Sequence, residues 1–199
     1  MLTLCNICKS TVEDNQFFCD SCGTLQEIKI SYFSIFGIEP SVDIDKKVLE
    51  AKFAELIKII HPDRFIYKSA DEKLIAEKNT STINKAYQVL SSDITLCEYI
   101  LNIIYNIDDN TILNNDNEFL MEKMELYDQL NSITSISECH AFSDKLYAIY
   151  NMRLLKLKNN IRKGYIDNQN KELQKIKFIQ HFINALETKV YMLEMDEKL

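Results

Sequence analysis

Apolar positions recur with helical period along most of this chain. Leu49, Phe53, Leu56, Ile57 and Ile60 fall at i, i+4, i+7, i+8 and i+11. That single stripe predicts a helix over Asp45–Ile60. Pro62 ends it, because proline has no N–H to donate and pushes the residue before it out of the α region. A second stripe of Ile83, Ala86, Tyr87 and Leu90 predicts a helix over Asp71–Leu90. Joined by a loop of about ten residues, the two helices should pack as an antiparallel hairpin. Ahead of them, Ser31 can cap a short turn through Tyr32–Phe36, which Gly37 closes.

The second half repeats the pattern with longer segments. Asn117 can cap a helix to about Asn131. Another fits about Ser137 to Lys163, ended by Gly164, and a last one runs from about Asn168 to Met195. Short connections between three such helices predict a small antiparallel bundle. The first 29 residues differ, with four cysteines and little core material. The expected organisation is therefore a cysteine module (1–29), a helical hairpin domain (30–95) and a helical bundle (96–199), with no internal repeat.

Composition narrows the class. Of 199 residues, 46% are hydrophobic and 27% charged, which excludes a disordered chain or collagen. Three Gly and two Pro are too few turn-formers for a β-sandwich or barrel. The predicted fold class is all-α with a small N-terminal ribbon. No apolar run approaches the ~18–20 residues of a spanning helix, so no membrane partner is expected. A net charge of −7 argues against nucleic acid as a partner. The N-terminus is neither Arg-rich nor acid-poor, so no mitochondrial transit peptide is visible.

Cys5-x2-Cys8, ten residues and Cys19-x2-Cys22 form two knuckles. Such pairs, without a secretory signal, read as metal ligands in a reducing compartment rather than disulfides. Four thiolates suit structural zinc and leave no open position for catalysis. An iron–sulfur cluster or a redox dithiol uses the same residue types. Gly23, after the second knuckle, lets backbone N–H groups turn toward the sulfurs, while the first knuckle has Lys9 there. Cys97 and Cys139 sit in apolar helical patterns and read as small core residues.

His61-Pro62-Asp63 falls where the first hairpin helix must break, which exposes the imidazole and carboxylate. Neither a Ser or Cys nucleophile nor a glycine-rich phosphate loop stands nearby, so a catalytic role has little support. The surrounding pattern, however, resembles a J-domain. It runs from Ser31-Tyr32-Phe33-Ser34-Ile35-Phe36-Gly37-Ile38, through His-Pro-Asp, to Ile83-Asn84-Lys85-Ala86-Tyr87-Gln88-Val89-Leu90. In J-domain proteins the tripeptide engages a DnaK-type ATPase chaperone and triggers its ATP hydrolysis. The resemblance assigns that role to His61, Pro62 and Asp63, with Lys52, Lys58 and Arg64 as the basic flank. The chain would then activate a partner's ATPase and not be an enzyme itself.

Two further stretches, Cys97-Glu98-Tyr99-Ile100-Leu101 and Phe119 to Leu130, resemble the HscB family of iron–sulfur co-chaperones. The resemblance covers about residues 31–199. The tetracysteine segment is similar to an extra module of many eukaryotic members, which implies a mitochondrial matrix or related organelle, with the cytoplasm as the alternative. The HscB resemblance also implies that the C-terminal bundle holds an IscU-type scaffold through Leu120, Met121, Met124, Glu125, Asp128 and Phe178. Asp128 stands where the family has Glu, and Arg64 where it has Lys. A generic J-domain protein with another client would share the first motif and differ at 118–130.

The residues independently suggest a partner surface. Leu120, Met121 and Met124 form one patch, and methionine adapts to irregular partners. Asp108, Asp109, Asp116, Glu118, Glu122, Glu125 and Asp128 frame it against a single Lys123, favouring a basic partner. Residues 153–177 carry eight bases and two acids. They could equally face the acidic segment within the bundle, with the Met and Leu stripe as core.

Overall fold

The structure, a computed structural model, describes residues 2–5, 7–14, 16–105 and 117–196. Its contacts divide the chain into two units, Met1–Leu96 and Cys97–Leu199.

The first unit opens with strands β1 (Leu2–Leu4) and β2 (Thr11–Glu13), antiparallel with Thr3 opposite Val12. A single bridge pairs Phe18 with Leu25. Helices α1 (Tyr32–Ile35), α2 (Lys46–Ile60) and α3 (Ala70–Ser91) follow, with a 3-10 turn at Pro62–Phe65. Each α-helix starts where a short polar side chain can accept a backbone N–H. Ser31 takes that of Ser34, Asp45 those of Lys47 and Val48, and Ser69 that of Glu72. Helices α2 and α3 pack as the hairpin, and α1 lies on α3. Leu49, Ile60, Ile83, Ala86 and Leu90 are buried between them. Phe53 stacks on Tyr87 at 4.2 Å between ring centroids. Leu56 and Ile57 stay half-buried, so the α2 stripe is wider than the core it serves.

One buried polar residue joins the cysteine module to this hairpin. Asn79 on α3 is 1% exposed. Its Oδ1 accepts the Ile28 N–H at 3.0 Å and its Nδ2 donates to the Gln26 carbonyl at 2.8 Å. Both ends of the amide are thus satisfied, which removes the cost of burying it.

Helix α4 (Asp93–Tyr105) begins one residue after α3, and the unit boundary falls within it. No proline or glycine marks the break. Ser92 alone turns extended, while the Thr95 hydroxyl donates to the freed Val89 carbonyl at 2.7 Å. The sequence reading puts Cys97 in an apolar helical pattern but sets no bounds for this helix, because no turn-former marks its start.

The second unit continues with α5 (Asn117–Ser132), α6 (Ile136–Arg162) and α7 (Gln169–Asp196). Helices α6 and α7 form its main packed pair. Ile133, Cys139, Leu146, Ile179, Phe182, Ile183 and Leu186 make a buried cluster, with Leu126, Leu130 and Phe178 packed against it. Ser135 and Glu138 form a capping box at the start of α6. Gly164 ends α6 at φ +74, where its N–H reaches Ile161 and that of Tyr165 reaches Asn160. That pair of bonds is a Schellman motif, which a residue with a Cβ adopts only with strain. Among the described residues, no helix is long and apolar enough to cross a membrane.

Candidate functional site

The His-Pro-Asp turn is shaped by its own chemistry. Pro62 forces His61 to ψ 132°, which ends α2 and starts the 3-10 turn. His61 Nδ1 then accepts the Asp63 N–H at 3.3 Å and lies 3.5 Å from the Asp63 carboxylate. Both side chains remain exposed. Beneath them Phe65 is buried, and the Thr80 hydroxyl donates to the Ile60 carbonyl at 3.4 Å. The result is a rigid, solvent-facing turn with one imidazole and one carboxylate at its tip.

The structure brings two of the three flanking cations together. The Arg64 guanidinium donates to the Lys58 carbonyl at 2.9 Å, and both residues are exposed beside the turn. Lys52 is committed elsewhere, donating to the carbonyls of Phe36 at 2.7 Å and Gly37 at 2.9 Å. Six residues from Lys58, it stands about 120° away around the helix. Its ammonium closes the end of α1.

The four cysteines converge. All their sulfur atoms lie within 4.8 Å of one another, with Cys5 and Cys22 at 3.7 Å and Cys8 and Cys19 at 3.5 Å. A tetrahedral site with metal–sulfur bonds of ~2.3 Å has sulfur–sulfur edges of about 3.8 Å. The group therefore fits a four-thiolate metal ion. The two knuckles are near copies. Cys5 N–H donates to Ser10 and Cys19 N–H to Thr24, while the N–H groups of Lys9 and Gly23 return to the carbonyls of Cys5 and Cys19. Gly23 holds φ +69 and Lys9 holds φ +61. Lysine thus adopts the left-handed turn that glycine takes freely in the other knuckle. Hydrogen bonds from Ser10 hold the Cys8 thiol down to about 6, whereas burial pushes Cys19 up to about 11. A bound cation is the natural way to keep all four deprotonated together. Gln26 adds a contact invisible in the knuckle spacing, its Nε2 lying 3.5 Å from the Cys5 sulfur.

On α5, the expected partner patch faces outward. Leu120, Met121 and Met124 are 57%, 63% and 61% exposed. They are not core. Glu125 and Asp128 beside them are exposed and make no ion pair among the described residues. Phe178 on α7 is only half-buried, meeting Phe119 edge-on at 5.5 Å and Phe182 at 4.9 Å. Tyr127 on α5, not among the expected site residues, is exposed and meets Phe178 at 6.2 Å and Phe182 at 4.6 Å between ring centroids. Lys123 lies over the rings of Phe119 and Phe178 at 4.4 and 4.9 Å. The acidic frame is smaller than the sequence suggests. Glu122 is paired with Arg153 at 3.1 Å, and Arg153 also reaches Glu172 at 3.5 Å. Part of the basic segment thus does face part of the acidic one. Asp108, Asp109 and Asp116 lie outside the described residues, as does the Glu118 side chain. Cys97 and Cys139 are fully buried, apart from the metal group.

Comparison with known proteins gives this arrangement a lineage. Residues 115–187 match a family described as the HSCB C-terminal oligomerisation domain. A co-chaperone protein HscB homolog of Vibrio vulnificus is 30% identical over 165 residues, covering 79% of this chain and 95% of that protein. Human co-chaperone HscB superimposes with a TM-score of 0.85 at 22% identity, across 94% of this chain and 98% of its own. Chaperone HscB from Vibrio cholerae gives 0.75 at 30% identity, across 82% and 99%. The fold, the matched bundle and this level of identity agree, and the chain belongs to the HscB family of co-chaperones.

Proposed function

We propose that this co-chaperone works with two arms. The bundle captures an IscU-type iron–sulfur scaffold on Leu120, Met121, Met124, Glu125 and Asp128, with Phe178 at the edge of the patch. The J-domain presents His61-Pro62-Asp63, with Lys58 and Arg64, to a DnaK/HscA-type chaperone and stimulates its ATPase. Hydrolysis on that partner closes it on the delivered scaffold and promotes cluster transfer. Holding both partners at once raises the effective concentration of scaffold at the chaperone. Cys5, Cys8, Cys19 and Cys22 hold structural zinc, which folds the module and takes no part in the ATPase chemistry. The likeness of the tetracysteine module to that of many eukaryotic members supports the mitochondrial matrix or a related organelle as the site of action, with the cytoplasm as the alternative.

The observation that carries this reading is the α5 surface. Three large apolar side chains stand in solvent beside two carboxylates that make no ion pair among the described residues. Leaving Leu and Met exposed at that density serves no packing purpose, and exposed apolar patches of this kind mark partner sites. Calorimetric titration with an IscU-type scaffold tests it. The wild-type protein should bind in the micromolar range and a Leu120→Ala/Met124→Ala variant should not. A variant that binds as tightly as wild type would remove the scaffold arm and leave a J-domain protein with another client.

A further inference from the structure

The turn that carries His-Pro-Asp continues into a feature the family assignment leaves unexplained. Ile66 and Tyr67 follow it directly, 52% and 100% exposed. Neither contributes to the core of the hairpin. Yet the backbone beneath them is held firmly. The Arg64 N–H donates to the His61 carbonyl at 3.0 Å, and the Lys68 N–H donates to that of Phe65 at 2.9 Å. Phe65 itself is buried as the plug of the turn. Arg64 is tied to Lys58, and Ser69 caps α3 by accepting the Glu72 N–H at 3.2 Å. Two bulky apolar side chains are therefore displayed on an ordered turn, where docking them costs little backbone entropy.

Their surroundings define what they fit. From Lys58 to Ser69 the chain carries Lys58, Arg64 and Lys68 against a single Asp63, a basic island in a protein of net charge −7. Lys58, Arg64 and Lys68 are exposed. An aromatic side chain flanked by cations matches an apolar pocket with an acidic rim. The surface is continuous with the His-Pro-Asp tip, so one partner would cover both.

We propose that Ile66 and Tyr67 form an apolar anchor that seats the His-Pro-Asp turn in an acidic-rimmed pocket of the ATPase chaperone. The inference rests on the J-domain reading above and divides its labour. His61 and Asp63 deliver the trigger, and the Ile66–Tyr67 pair supplies binding energy. Tyrosine suits that task because it offers large contact area with few rotors to freeze.

The test is a titration of chaperone ATPase rate against this protein, comparing wild type, Ile66→Ser/Tyr67→Ser and His61→Gln. The double variant should need roughly tenfold more protein for half-maximal stimulation, as expected for loss of one buried aromatic anchor. Its maximal rate should equal that of wild type, and its thermal midpoint should not move, because both side chains are in solvent. His61→Gln should instead lose the maximal rate. A double variant that titrates like wild type overturns the anchor while the J-domain reading stands. A lowered maximum at unchanged midpoint concentration also overturns it, since the pair would then belong to the trigger. Should wild type itself give no stimulation, or His61→Gln stimulate fully, the J-domain reading fails and the anchor falls with it.

Discussion

Among the described residues, the first 29 bury only Cys5, Val12, Cys19 and Leu25, and two of those four are thiols. The bundle buries a contiguous cluster from Ile133 through Leu186 that includes Phe182, Ile183 and five other side chains. The N-terminal module has a three-residue strand pair and no apolar layer thick enough to exclude water. The bundle has two helices of 27 and 28 residues locked along their length. One region offers four clustered thiols that fit a metal ion, and the other buries a large apolar area. A short segment that cannot bury a core must take its folding energy from a ligand. Freed of that need, a larger bundle can leave Leu120, Met121 and Met124 outside, available to a partner.

Metal removal breaks the comparison most sharply. Stripping the ion with a strong chelator, or substituting Cys8→Ser, should unfold residues 1–29 and leave the α6–α7 pair protected. Structural zinc in comparable peptides contributes ~10–16 kcal/mol, far more than the module's four buried side chains can. Amide hydrogen exchange read by region is the measurement. Unchanged protection in the module after verified metal loss would show that it folds on its own.

Within the bundle, the contrast lies between inside and outside. Phe182→Ala should cost about 3–5 kcal/mol in urea unfolding, because its ring is fully buried at the centre of the cluster. Met124→Ala should change stability by about 0.5 kcal/mol at most, being an exposed side chain with no packing role. A large loss for Met124→Ala would mean that the patch belongs to the core after all.

The smallest effect sharpens the comparison between the two knuckles. Lys9→Gly should relieve a left-handed lysine and tighten metal retention by about 1 kcal/mol. Gly23→Ala should cost a similar amount, and the cost is conformational, since a Cβ there meets nothing within 4 Å. Competition with a chromogenic chelator reads both. Equal retention across the three proteins would show that knuckle backbone strain does not reach the site.

Much of the architecture was legible because its determinants are local. Ser31 caps the helix it was expected to cap, Asp45 stands at the expected start of α2 as its cap, and Pro62 and Gly164 end theirs, since each acts through its own backbone geometry. Ser135, two residues before the expected start of α6, displaced it because Glu138 completes a capping box that outweighs a single hydroxyl. The end of α3 fell within a residue of its expected place at Leu90, but the immediate restart as α4 at Asp93 was not legible, as no turn-former separates the two. The position of Lys52 depended on where α1 ended in space, and six residues of spacing from Lys58 could not reveal the carbonyls waiting there.

By itself, the sequence determined the main helical segments, the residues that cap or end several of them, and which four sulfurs are available to a metal. Those properties follow from periodicity, capping and residue chemistry within a few positions. Only the tertiary structure decided that Asn79 is the buried clamp on Gln26 and Ile28, more than fifty residues away. It also decided that Leu120, Met121 and Met124 face solvent while Cys139 and Leu146 on α6 face inward. An amphipathic stripe states only that a face is apolar. Whether another helix or a partner covers it depends on which elements the whole chain brings alongside, and that is set by packing rather than by any local run of residues.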